Sequence, residues 1–133
     1  MPRSILIVED DHAACQILEK VIAVKYPGVA LYTAGDGKSG LDCFMQNTPD
    51  IVITDVNMPV MDGIRMAWKI KSIKAATRII VLTAFCNKSV AEASNSLGFS
   101  VDSYLLKPVN FDGLFKAIDR VDNACSNMVP LVS

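Results

Sequence analysis

Four apolar runs of the chain end in residues that can do chemistry. "SILIVE" (4–9) is followed by Asp10 and Asp11, and "DIVITD" (50–55) ends in Asp55. "RIIVLTA" (78–84) carries Thr83 near its end, and "DSYLLKP" (102–108) leads to Lys107 and Pro108. A carboxylate at the tip of a buried run is costly without a partner. Brought together, Glu9, Asp10 and Asp55 repel, by about 4 kcal/mol for two unit charges roughly 4 Å apart at an effective dielectric of 20. Such a cluster calls for a cation. Oxygen ligands without His or Cys favour a hard divalent ion, Mg²⁺ first, with Mn²⁺ as a substitute. Asp55 then reads as a nucleophile, because carboxylates attack phosphoryl groups to form aspartyl phosphate. The metal and Lys107 would neutralise the transferring group, and Thr83 would donate a hydrogen bond to one of its oxygens.

Each residue also has a plainer reading. Asp10 or Asp11 could cap the following helix, and Asp55 could be a cap or a turn residue. Thr83 could simply end a strand, and Lys107 could be a solvated lysine. The set favours chemistry: an acidic pair, an Asp, a Thr and a Lys fall on four separate runs.

These residues must be positioned by the elements around them. Five apolar runs, 4–9, 29–34, 50–55, 78–84 and 102–108, alternate with five stretches of helical periodicity. The helical stretches follow residue 10, then 36, then 62–73, 88–98 and 110–124, and Asp36 is a candidate cap for the second. Continuous apolar runs are expected of strands covered on both faces. Five βα units imply one α/β domain over 1–124, a doubly wound parallel sheet with right-handed crossovers. In such sheets, sites form beyond the carboxyl ends of the strands, where these residues fall. The uncharged stretch 125–133 reads as a frayed tail or the start of a linker.

Composition narrows the function classes. Of 133 residues, 51% are hydrophobic and 20% charged, which is globular rather than disordered. Thirteen basic residues against fourteen acidic ones give a net charge of −1, so no electrostatic footprint for nucleic acid is expected. No apolar run approaches the roughly 18 residues of a membrane span. The N-terminal run turns acidic at once, unlike a signal peptide. A cytoplasmic location is expected. Cys15, Cys43, Cys86 and Cys125 form no CxxC pair and read as free thiols.

"ILIVEDD", "DVNMPVMDG", "VLTA" and "YLLKP" together resemble the receiver domain of two-component response regulators, over nearly the whole chain. The resemblance implies a flavodoxin-like strand order 2-1-3-4-5. It implies a phosphorylation switch that takes a phosphoryl group from a sensor histidine kinase or phosphotransfer protein onto Asp55. Asp10 would bind the metal directly, Glu9 through water, and Asn57 through its backbone carbonyl. Thr83 and Lys107 would hold the phosphoryl oxygens. Thr83 and Tyr104 would form the switch, altering the surface around the fourth helix (88–98), the fifth strand and the fifth helix. Asn57 and Phe85, two positions after Asp55 and Thr83, would set the dephosphorylation rate. Lys107–Pro108 matches a cis peptide. The output would be an effector domain or protein, with a phosphorylation-dependent dimer as a further partner. Such a switch is no enzyme beyond its own phosphoryl transfer and slow autodephosphorylation.

Two rivals fit less well. A haloacid-dehalogenase-type phosphatase would carry a second carboxylate where Asn57 stands. A flavin-binding domain of the same topology needs a Gly/Ser/Thr-rich phosphate loop after the first strand, where Glu9, Asp10 and Asp11 would repel the phosphate. His12, at the start of the first helix, reads as a surface residue rather than a phosphohistidine.

Overall fold

The computed structural model describes residues 2–58, 60–84, 92 and 95–128, with side chains as far as residue 123. Five parallel strands form one sheet in the order β2-β1-β3-β4-β5. They are β1 (Ser4–Val8), β2 (Ala30–Ala34), β3 (Ile51–Asp55), β4 (Arg78–Thr83) and β5 (Ser103–Leu106). The helices described are α1 (His12–Lys25), α2 (Gly37–Asn47), α3 (Gly63–Ile73) and α4 (Phe111–Met128). The doubly wound order is thus the expected one. The helix expected over 88–98 falls largely outside the described residues, with Glu92, Asn95 and Ser96 helical. The last helix runs to Met128, past the expected end at 124. Among the described residues, no helix is long and apolar enough to cross a membrane.

The strands are mostly apolar, with polar residues largely at their ends, because each face of the sheet has its own core. Side chains alternate between faces along a strand. Ile5, Ile7, Ile51, Ile53, Ile80 and Leu82 pack with Leu18 and Ile22 of α1 and Leu114 and Ile118 of α4. Leu6, Val8, Val52, Ile79 and Val81 pack on the other side with Phe44 of α2 and Ile64, Met66 and Ile70 of α3. Neither face keeps a polar stripe, so no strand shows the alternation of a half-exposed sheet.

Aspartates start three of the helices. Asp11 accepts from the Ala14 amide (3.1 Å), Asp36 from Ser39 (2.8 Å) and Asp62 from Arg65 (2.9 Å). Each satisfies an amide that the first helical turn leaves unpaired. The hydrogen bonds of Asp36 also hold its carboxyl below the usual carboxylate range. Asn110 caps α4 through the Gly113 amide (3.1 Å). At the far end of α1, the Tyr26 hydroxyl donates to Asp119 at 2.7 Å, fastening α1 to α4. Asp119 accepts this bond while remaining exposed.

Candidate functional site

The three capping aspartates line the carboxyl edge of the sheet, and their carboxylates are accounted for. Among the described residues, Glu9, Asp10 and Asp55 cap no helix. They stand at the ends of adjacent strands, because β1 pairs with β3 in the register Val8 to Thr54. The ladder also continues past β1, with the Glu9 amide donating to Ala34 at 3.0 Å. One carboxylate oxygen from each of the three acids lies within 4.8 Å of the others. Glu9 is only 4% exposed and Asp55 9%, whereas Asp10 is open to water.

Lys107 closes the cluster from β5. Its amide donates to the Thr83 carbonyl at 2.8 Å, which sets the lysine beside the end of β4. Its Nζ lies 2.9 Å from Asp55 Oδ2 and 3.4 Å from both oxygens of Glu9. The Lys107–Pro108 peptide is cis, as expected. The other Asp55 oxygen, Oδ1, accepts from the Val56 amide at 2.8 Å. Both oxygens of Asp55 are therefore fixed in direction, one by the backbone and one by a cation.

Charge is poorly compensated here. Burial pushes the Glu9 carboxyl up to about 7, with the negative charge of Asp55 adding to it and Lys107 opposing it. Burial works against the charged form of Lys107, but its hydrogen bond to Asp55 and the charges of Asp55 and Glu9 outweigh this and raise its pKa. Among the described residues, Lys107 is the cation paired with this cluster of three acids, through Glu9 and Asp55. An all-oxygen donor set with excess negative charge fits a hard divalent cation.

Thr83, Tyr104 and Asn57 lie on the elements that flank this core. Thr83 is buried at the end of β4. Tyr104 pairs in register with Val81, so the period of two puts Tyr104 and Thr83 on one face of the sheet. There Tyr104 is partly buried against the core that α2 and α3 cover. Asn57 is exposed and lines a groove with Val56, Asp62, Ile64 and Arg65. Phe85 lies outside the described residues. Asp11 is a helix cap, which decides between the two readings of the residues after Glu9.

The loop from Asp55 to α3 holds features that sequence reading assigned differently or missed. Gly63 is the first residue of α3 and has no positive φ. Its amide donates to the Val56 carbonyl at 2.9 Å. A Cβ there would overlap the Asp55 carbonyl oxygen and stand 3.0 Å from Thr54 Oγ1. Gly63→Ala should thus cost about 2 kcal/mol or more through overpacking, read as a lower urea midpoint at unchanged m-value. An alanine variant as stable as the wild type would mean that the loop does not press against Asp55. Gly37 of α2 is constrained similarly by the backbone of Met61. Val60, in contrast, holds φ +71° with its side chain 79% exposed. A left-handed conformation costs an L-residue roughly 1–2 kcal/mol, and a β-branched one is a marked outlier. No periodicity or composition signals such a residue.

Residues 5–119 match the family model of the response regulator receiver domain. The chain belongs to that family. This receiver is 36% identical over 114 residues to the response regulator MprA of a Mycobacterium species, covering 86% of this chain and 48% of MprA. It is 34% identical to the transcriptional regulatory protein ZraR of Escherichia coli, covering 87% of this chain and 25% of ZraR. The receiver chain thus spans about half the length, or less, of these curated relatives. A receiver domain structure from Clostridium thermocellum superposes with a TM-score of 0.84 at 28% identity, covering 95% of this chain and 98% of that one. Receivers are the domains of two-component response regulators, so phosphorylation-based signalling is the family's role.

Proposed function

We propose that this receiver accepts a phosphoryl group on Asp55 from a phosphohistidine of a sensor kinase or phosphotransfer protein. The observation that carries the proposal is Asp55 itself: a nearly buried carboxylate held by Val56 N–H and Lys107 Nζ, beside two acids without a capping role. Asp55 attacks the phosphorus, the phosphorus–nitrogen bond to the donor imidazole breaks, and the imidazole leaves with the bonding pair. Glu9, Asp10, Asp55 and the carbonyl of Asn57 would hold Mg²⁺ or Mn²⁺, which when bound supplies charge neutralisation for the transferring oxygens.

Lys107 is placed to follow the new negative charge from Asp55 Oδ2 to a phosphoryl oxygen. The Thr83 hydroxyl donates to another. Inward movement of Thr83 leaves room for Tyr104 on the same face of the sheet, and the surface formed by 88–98, β5 and α4 changes with it. Such a change follows only if the phosphorylated site favours one arrangement over the other. Asn57 can orient a water for hydrolysis, and Phe85 can shield the approach. Beyond this transfer and slow self-dephosphorylation the domain has no substrate. Its output is an effector domain or partner protein, by analogy with the longer relatives, and its place of action is the cytoplasm.

Acetyl phosphate provides the test. With Mg²⁺ the chain should gain the mass of one phosphoryl group, removable by hydroxylamine, and with a chelator it should gain none. No gain with Mg²⁺, or equal gain with a chelator, overturns the reading.

A further inference from the structure

β5 has little in its own sequence to fix its register. It is an edge strand of four residues beside β4. Ser103 is buried, Tyr104 and Leu105 are half-buried, and Leu106 is exposed. The hydrophobic pattern that sets the register of most strands is therefore weak here. The site nonetheless depends on that register, because Lys107 follows β5 directly. A slip of one residue would shift Lys107 by about 3.3 Å and turn its side chain to the other face. It would then lose Asp55, which lies 2.9 Å from its Nζ.

Asp102 supplies what the pattern lacks. Its amide donates to the Ile79 carbonyl at 3.0 Å, and its carboxylate accepts from the Ile79 amide at 2.7 Å. One residue thus takes both backbone groups of a single position on β4. The same carboxylate accepts from Lys71 Nζ of α3 at 3.0 Å and from Arg78 Nη1 at 3.3 Å. The side chains of Asp102, Lys71 and Arg78 are only 18%, 15% and 18% exposed, so these charge-assisted bonds lie largely away from water. A one-residue slip would bring Val101 or Ser103 to this place, and neither carries a carboxylate.

We propose that Asp102 is a positioning residue for phosphoryl transfer: by fixing the register of β5 on β4, it places Lys107 against Asp55. This rests on the phosphoacceptor reading of Asp55, with Lys107 as the cation that neutralises the transferring group. Asp102 touches none of the reacting atoms. Five positions of extended chain carry β5 from Asp102 to Lys107, about 16 Å at the rise of a strand. Charges so far apart are screened at about 0.1 M salt, where the Debye length is roughly 10 Å. The effect of Asp102 therefore passes along the strand.

The test is the rate of labelling by acetyl phosphate at saturating Mg²⁺, on variants whose near-ultraviolet circular dichroism matches wild type. Asp102→Ala removes every side-chain contact. Asp102→Asn keeps an acceptor for the Ile79 amide and loses the charge. Labelling should fall about tenfold in Asp102→Ala and about threefold in Asp102→Asn, as expected when a catalytic group is displaced by a fraction of an ångström. In a Lys107→Met background, neither substitution should lower the remaining rate further. A contact that only stabilises the fold would lower the unfolding midpoint and leave the labelling rate of the folded variants unchanged, and that result overturns the inference. So does a loss in the Lys107→Met background equal to that in wild type, which would separate Asp102 from Lys107. If Asp102→Ala does not fold, Asp102→Asn decides by the same two comparisons. Failure of wild-type labelling would instead count against the reading of Asp55.

Discussion

Asp55→Asn will take up no phosphoryl group from acetyl phosphate, with a rate loss of at least about a thousandfold, or about 4 kcal/mol in barrier. The amide oxygen is a poor nucleophile, and the variant removes the acceptor while nearly preserving the volume. The same change releases Lys107 from its 2.9 Å contact and leaves it the longer 3.4 Å contacts with Glu9. One charge fewer in the acid cluster will also weaken divalent-ion binding. Intact mass after treatment with acetyl phosphate, with and without hydroxylamine, is the measurement. A stoichiometric, hydroxylamine-labile phosphate on Asp55→Asn would move the acceptor elsewhere.

The second large effect concerns Glu9 and pH. In the unfolded chain its carboxyl titrates at the ordinary glutamate value of 4.5, and in the fold burial pushes it up to about 7. Between those values the folded state binds more protons than the unfolded state. Metal-free stability therefore falls as pH rises from 4.5 to 7, and the loss is complete above 7. The full shift would correspond to about 3 kcal/mol. Water reaches the site through the exposed Asp10 and the partly exposed Lys107, so about 2 kcal/mol is the expected loss.

Glu9→Gln should abolish this slope and be more stable than wild type at pH 8 without metal. Added Mg²⁺ should restore wild-type stability at pH 8 and do little for Glu9→Gln. Urea unfolding at pH 5, 6.5 and 8, with and without Mg²⁺, decides the matter. A wild-type curve that is flat or rises across this window would show that Glu9 is not held protonated by its surroundings. The two variants are linked. Because Asp55 is the second cause of the shift at Glu9, Asp55→Asn should move the window downward.

The sequence disclosed what depends on solvent and period. A strand covered on both faces must be apolar at every position, so "SILIV" and "DIVITD" were legible as β1 and β3. Asp36 was legible as a cap because it precedes an amphipathic stretch. The acidic residues after β1 were ambiguous, since Asp10 and Asp11 have the same chemistry. Only the hydrogen bond from Ala14 separates them. The strand order came through family resemblance, because alternation alone does not say which strands are neighbours. The end of α4 was misjudged because the apolar stripe stops at Val121, whereas the helix continues through polar residues to Met128. Close approach was invisible: Gly63 is required by the carbonyl of Asp55, an atom that carries no sequence signature.

Asp102, at the entrance to β5, shows the same limit. It accepts from Lys71 Nζ at 3.0 Å, Arg78 Nη1 at 3.3 Å and the Ile79 amide at 2.7 Å. These contacts join α3, β4 and β5 on the edge of the sheet opposite the acid cluster. β5 is thus pinned at one end by ion pairs that the phosphoacceptor does not touch. At the other end it is held by Lys107, whose partners are the acids of the site. On the proposed phosphorylation of Asp55, β5 would act as a lever with a fixed fulcrum, its displacement smallest at Asp102 and greatest at Leu106, which is 57% exposed.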